Sequence, residues 1–195
     1  MTIYFDTETT GLVPGRILQL SYVLDYKDKV IGKNFFFYVD YVPEEAVKVH
    51  GFTVEKLAVL SGGKTFSDYS EEIYKDFITA DLIVAHNVKF DLSFLQAEFC
   101  YLDEIFKYNA SLDTMKYFTP VTCLPRRSGG YKYPKLSEVG EHLEIYPYDV
   151  TKKCAELFNT YNVSFHDARY DTALMYIAVK LQAEKDEQLY NLINE

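Results

Sequence analysis

The chain has 195 residues, 48% of them hydrophobic, with nine glycines and six prolines; this predicts one folded domain over residues 1–195 and excludes a disordered chain. Its apolar runs are short and broken by charge, which excludes a bilayer-spanning helix. A net charge of −9 excludes broad docking on duplex DNA, which needs a basic surface, so any nucleic acid must be met locally, at a short strand end, with divalent cations offsetting repulsion.

The chain opens on the apolar run Ile3–Asp6, read as a buried strand that ends in Asp6-Thr7-Glu8. No basic n-region or small-residue cleavage site precedes it, so no secretory signal is expected. Residues i and i+2 of a strand point to one side, and two carboxylates set side by side at a core edge call for a cation between them. Strands are predicted over Ile17–Asp25 and Val30–Tyr38, joined at Lys27-Asp28 in a meander. Phe35–Tyr38 reads as core strand rather than a base-stacking platform.

A short helix is expected after Pro43, and a second over Val54–Leu60 with Thr53 as its N-cap. Tyr69, Ile73, Phe77 and Ile78 predict a helix over Phe66–Thr79. Asp81–His86 is a buried strand, Phe90–Phe99 a helix, and Ser111–Thr114 the end of a strand entering a helix. Helical patterning returns at Lys135–Leu143, Thr151–Tyr161 and Ala168–Lys185. Three antiparallel strands followed by alternating helices and strands imply a mixed α/β sheet flanked by helices. Cys100, Cys123 and Cys154 are read as buried thiols of a reducing cytoplasm, not a disulfide frame or zinc site.

From Thr114 to Ser137 there is no acidic residue, but there are Lys116, Arg126, Arg127, Lys132 and Lys135, interleaved with Tyr131 and Tyr133. This segment reads as a long mobile loop able to grip a phosphate strand. Ligands of such sheets gather at the carboxyl ends of strands, where Asp6, Glu8, Asp91 and Asp171 are expected to converge with His166. Oxygen donors of this kind suit two divalent cations, Mg²⁺ or Mn²⁺, which can activate a water and stabilise a leaving oxygen in phosphodiester hydrolysis. His166 is five positions from Asp171, an arc of about 140° on one helix. It is therefore placed on the entry loop as general base, with Asp167 capping the helix. His86 is expected to satisfy a loop hydrogen bond and His142 to lie on the surface; His50 could cap a turn or touch substrate.

Together these segments resemble the DnaQ-like DEDDh 3′→5′ exonucleases of the RNase H-like fold. Asp6–Leu12 (DTETTGL) resembles the first exonuclease motif in its polymerase III epsilon proofreading form, Ala85–Leu95 (AHNVKFDLSFL) the second, and His166–Asp171 (HDARYD) the third. Val49–Thr53, Leu112–Thr114 and Lys135–Ser137 resemble further elements of that branch.

The resemblance implies that Asp6, Glu8 and Asp171 bind one metal, that Asp6 bridges to a second, that Asp91 contributes through water, and that His166 is the base. It also implies substrate contacts from Thr9, Leu12, Phe52, Asn87 and Phe94. Arg169 stands where the family often has an apolar residue and would place a cation near the scissile phosphate. The implied substrate is a single-stranded 3′ end, DNA favoured over RNA, with a DNA polymerase subunit as a partner in that branch. No polymerase-tethering extension or clamp-binding segment is evident. The alternatives are an RNA-directed exonuclease of the oligoribonuclease or RNase T kind, or a catalytically silent end-binding module.

Overall fold

The computed structural model describes residues 1–194. Five strands form one mixed sheet in the order β3-β2-β1-β4-β5. They are β1 (Thr2–Thr9), β2 (Ile17–Asp25), β3 (Val30–Phe36), β4 (Leu82–Ala85) and β5 (Ala110–Asp113). The first three pair antiparallel; β1 pairs parallel with β4, and β4 with β5. The helices are α1 (Glu44–His50), α2 (Val54–Ser61), α3 (Ser70–Thr79), α4 (Val88–Tyr101), α5 (Thr114–Thr122), α6 (Leu136–His142), α7 (Pro147–Phe158), α8 (Ala168–Ala183) and α9 (Glu187–Asn194). This is the α/β RNase H-like architecture that the motifs implied.

Period-two alternation in β1 divides the core between two faces. Ile3 and Phe5 pack with Phe77, Leu95 and Phe99 of α3 and α4. Tyr4 packs with Met175, Tyr176 and Val179 of α8, its ring meeting that of Tyr176 edge-on at 5.0 Å. Both faces of β1 and β2 are therefore covered, which is why their sequences are nearly continuous apolar runs. The carboxyl ends of the central strands project from this doubly packed sheet.

Several boundaries differ from expectation, for local reasons. β1 runs past Asp6 to Thr9, with a register irregularity between Glu8 and Thr9, so the paired acids lie within the strand. β3 stops at Phe36, although the Phe37 N–H still donates to the Leu18 carbonyl (2.9 Å). Phe66–Thr79 is not one helix: a 3₁₀ turn at Phe66–Asp68, locked by Thr65 and Asp68, precedes α3. Thr53 caps α2 by accepting from the Lys56 N–H, as expected. Pro147 starts α7 ahead of the expected Thr151, a position where a missing N–H costs nothing.

The expected Thr114–Ser137 loop is helical over its first nine residues, since Asp113 accepts from the Met115 N–H and caps α5. Helix α9, which the sequence reading did not anticipate, packs Leu189 and Ile193 beneath α8. Of the three cysteines only Cys154 is buried; Cys100 and Cys123 are exposed because each lies at the open end of its helix. No helix among the described residues is long and apolar enough to cross a membrane.

Candidate active site

Asp6 and Glu8 share the face of β1 that looks toward α8. Glu8 stands opposite Gln19 of β2. Helix α8 presents Asp171 in its first turn, and His166 lies on the loop that enters it. Glu8, His166 and Asp171 each offer a ligand atom, all within 4.8 Å of one another. Asp6, His166 and Asp171 line one cleft of about 520 Å³ together with His86 and Lys135.

The entry to α8 is tightly specified. His166 adopts the left-handed conformation (φ 65°), and its N–H donates to Asp171 Oδ2 at 3.1 Å. Asp167 caps α8 by accepting from the Arg169 N–H (3.0 Å), as read from the sequence. The buried Gln19 side chain grips the same turn from β2. Its amide donates to Asp167 Oδ1 (3.0 Å) and Asn34 Oδ1 (2.8 Å), and its carbonyl accepts from the Ala168 N–H (3.1 Å). Gln19 and Asn34 were not singled out from the sequence. The signal was there: a glutamine in the otherwise apolar run Ile17-Leu-Gln-Leu is buried only if fully hydrogen-bonded.

Asp91 comes from the opposite face of the sheet. It opens α4, is buried, and accepts from both the N–H (3.1 Å) and the hydroxyl (2.7 Å) of Thr7. Thr7 points away from Asp6 and Glu8, so the middle residue of the acidic triplet reaches behind the strand to hold the third carboxylate. The loop after β1 is fastened too. Buried Glu98 accepts from Arg16 Nε (3.0 Å) and from the Ile17 N–H (2.8 Å), and the Arg16 N–H donates to Thr10 Oγ1 (3.0 Å).

Crowding shows in the protonation chemistry. Burial first, then the charges of Asp91, Asp171, Glu8 and Asp167, pushes the Asp6 carboxyl well above the carboxylate range. Burial and the Asp171, Asp167 and Asp91 charges push Glu8 up to about 9. Burial raises Asp91 to about 7 against the pull of its Thr7 hydrogen bonds. It raises Asp171 to about 7 against the His166 N–H. Carboxylates held this far above their ordinary range, with oxygen donors predominating, fit a hard divalent cation such as Mg²⁺ or Mn²⁺.

The expected substrate residues divide. Thr9 and Leu12 line a cavity of about 300 Å³ with Glu8, Val49 and Phe90, and Leu12 is 90% exposed over it. His50 and Phe52 line another, of about 280 Å³, with His166 and Asp167. The His50 ring stacks on Phe52 at 5.2 Å, and its Nδ1 accepts from the Phe52 N–H; burial pulls its pKa down. Asn87 sits in the left-handed region at the start of α4, its N–H donating to Asp113 Oδ1.

Two expectations are corrected by packing. Phe94 is fully buried in the core; Phe90, one helical turn earlier and 5.0 Å away ring to ring, faces the cavity instead. Arg169 does not reach into the cleft. Its guanidinium donates to both Asp167 oxygens (2.9 and 2.6 Å) and lies over the Phe36 ring, which offsets the Asp167 charge behind the site. His86 engages Thr114 Oγ1 and the Pro134 carbonyl, each at 3.0 Å, and His142 is exposed, both as read.

A five-stranded RNase H-like sheet carrying acids on β1, α4 and α8 at the carboxyl ends of its central strands is the frame of a nuclease. The RNase T family, described as Exonuclease, matches residues 3–178, and the chain belongs to that family. It is similar to the DNA polymerase III subunit epsilon of Rickettsia prowazekii, 34% identical over 102 residues, covering 49% of this chain and 43% of that protein. The Escherichia coli (strain K12) subunit epsilon is 32% identical over 110 residues, 51% of this chain and 44% of that one. The subunit from Buchnera aphidicola subsp. Schizaphis graminum is 28% identical over 128 residues, 58% and 53%. The chain spans about half the length of the curated relatives it matches.

Proposed function

We propose that residues 1–195 act as one exonuclease domain. It hydrolyses phosphodiester bonds at the 3′ ends of single-stranded nucleic acid, DNA in preference to RNA, and releases nucleoside 5′-monophosphates with two divalent cations, Mg²⁺ or Mn²⁺. The observation that carries this reading is the set Glu8, His166 and Asp171 within 4.8 Å of one another, with Asp6 in the same cleft and Asp91 close enough to raise the Asp6 carboxyl. That its relatives are DNA polymerase III epsilon subunits supports the DNA preference, a polymerase subunit as partner and a cytoplasmic setting.

In this reading Asp6, Glu8 and Asp171 would hold one cation, and Asp6 and Asp91 would serve the second. The cations would supply Lewis-acid activation and offset the phosphate charge. Every other task falls to the chain itself. Leu12 and Phe90, which line one cavity, hold the terminal base, and the Thr9 backbone orients the terminal sugar. His166 is exposed at the mouth of the cleft and takes the proton from the attacking water as general base. The Asp171–His166 N–H bond keeps that loop in register with the carboxylates.

The test is digestion of matched DNA and RNA oligonucleotides labelled at either end, with Mg²⁺, Mn²⁺ or a chelator. Stepwise shortening of 5′-labelled single-stranded DNA, abolished by chelator, is expected. Full activity retained in Asp6→Ala, or internal cleavage, would overturn the reading. Faster loss of RNA would move it to the oligoribonuclease kind, and binding of ends without cutting would leave an end-binding module.

A further inference from the structure

Beyond the acidic cleft, one surface carries the opposite charge. Its first arm leaves α5 at Cys123 and its second enters α6 at Lys135. Pro125 pairs with Tyr131 in an antiparallel bridge. The Arg126 N–H donates to the Gly130 carbonyl (2.9 Å), the Gly129 N–H to the Arg126 carbonyl (3.0 Å), and the Lys132 N–H to the Leu124 carbonyl (2.9 Å). Gly129 and Gly130, at φ 89° and 74°, supply the left-handed backbone of the tip. The segment read from sequence as a mobile loop is thus a closed hairpin.

Its base is fastened to the active site. His86, at the carboxyl end of β4, meets the Pro134 carbonyl through Nε2. The Lys135 N–H donates to Glu138 Oε2 (2.8 Å), and Lys135 itself lines the cleft with Asp6, His166 and Asp171.

Not all the bases of this region are available. Lys116 is paired with Asp113 (3.4 Å), and Lys132 with Glu138. Arg126 and Arg127 at the tip and Lys135 at the root are exposed and carry no ion pair among the described residues. Tyr131 and Tyr133 are two apart on the second arm, and they are 53% and 60% exposed. Exposed arginines, two exposed tyrosines and a lysine lining the acidic cleft follow one another along this hairpin, at most roughly 17 Å from Lys135 to the tip at strand spacing.

We propose that this hairpin is a track for single-stranded nucleic acid. The nucleotides on the 5′ side of the scissile bond lie along it, with bases stacking on Tyr131 and Tyr133 and phosphates meeting Lys135, Arg126 and Arg127. The proposal rests on the exonuclease reading and deepens it. Phosphates attract arginine and bases stack on tyrosine whatever their sequence, so the track makes the enzyme prefer longer strands without reading their order. It also accounts for a chain of net charge −9 holding a polyanion: the attraction is confined to one finger.

The test uses the full chain and two double variants, Arg126→Ala/Arg127→Ala and Tyr131→Ala/Tyr133→Ala, in exposed positions that leave the fold intact. Binding of a 5′-fluorescein oligothymidylate of about 15 nucleotides is followed by anisotropy in Ca²⁺ across a salt series. The arginine pair should weaken binding about tenfold at low salt and make the slope of log K against log salt shallower by about 1.4, that is about 0.7 for each phosphate contact. The tyrosine pair should weaken binding about tenfold with the slope unchanged. The KM for the oligonucleotide should rise in both, whereas hydrolysis of thymidine 5′-(p-nitrophenyl phosphate), which has no nucleotide upstream of the scissile ester, should stay within twofold. Unchanged oligonucleotide binding overturns the track. So does a parallel loss on the small ester, which would mean damage to the centre, or silent tyrosines, which would leave phosphates held by arginine with no base stacked. If the unaltered protein hydrolyses neither substrate, the exonuclease reading fails, and the binding series still decides the track.

Discussion

Thr7 gives both its backbone N–H and its hydroxyl to one oxygen of Asp91, at 3.1 and 2.7 Å. The strand thereby uses its two faces for one purpose: Asp6 and Glu8 project toward α8, and the residue between them sets the carboxylate of α4. Thr7→Val removes the hydroxyl bond and keeps the shape. A hydrogen bond to a charged group is worth about 1.5–3 kcal/mol, and those bonds lower the Asp91 pKa. The variant's Asp91 should therefore be protonated more readily. Mn²⁺ binding should weaken about tenfold or more at pH 7 and recover partly at pH 9; calorimetric titration at the two pH values checks this.

Asp6→Asn tests the crowding itself. Asp6 is raised first by burial and then by four neighbouring carboxylates, so replacing it by a neutral isostere relieves repulsion. The metal-free variant should melt higher, by about 2–4 °C for each kcal/mol relieved, while its nuclease rate falls at least about a hundredfold. Melting and rate moving in the same direction would refute a functional origin for the acid cluster.

The pH dependence of stability has a definite sign. Glu8, Asp91 and Asp171 have folded-state values of about 9, 7 and 7, above those of unfolded carboxylates. The folded chain thus binds more protons than the unfolded one between roughly pH 4 and 9, and stability falls as pH rises through that window. Metal-free protein should melt at progressively lower temperature from pH 5 to pH 9. Mn²⁺ should restore more at pH 8 than at pH 6, because ligands must lose protons to bind it. Thermal melts with and without cation read both effects.

His166→Ala separates the base from the scaffold. The backbone bond to Asp171 (3.1 Å) survives the change, so folding should be retained. The rate should drop about 10²–10⁴-fold, and the pH dependence that a general base contributes should vanish. A variant whose pH profile parallels that of the original would remove His166 from the reaction.

Gly32 makes a prediction about the fold alone. A Cβ there would meet the Leu157 carbonyl oxygen at 2.2 Å, because α7 lies directly on β3. Gly32→Ala should cost about 1–3 kcal/mol, visible as a melting temperature several degrees lower with kcat little changed.

Much of this was legible in the linear chain. The β1 run ending in Asp6-Thr-Glu8, the N-cap at Thr53, the Asp167 cap and the entry-loop position of His166 all follow from periodicity and local hydrogen-bonding rules, which operate within a few residues. The break between the 3₁₀ turn and α3, the helical start of the basic segment and the whole of α9 were not legible. Their apolar residues match more than one local pattern, and partners distant in sequence choose among them. Phe90 and Phe94 illustrate the limit: both lie on one helix face, and only the depth of the neighbouring core decides which ring lines the cavity.

By itself, the sequence determined the residue types of the site, their order and the side of β1 on which Asp6 and Glu8 sit, because side-chain alternation in a strand is a covalent consequence of its geometry. Only the tertiary structure decided how close Glu8, His166 and Asp171 come, that Thr7 holds Asp91, that Gln19 grips the turn before α8, and that Arg169 pairs with Asp167 rather than entering the cleft. These are contacts between segments far apart in the chain, 149 positions for Gln19 and Ala168 alone. Their distances are set by the packing of helices on both faces of the sheet, which no local pattern encodes.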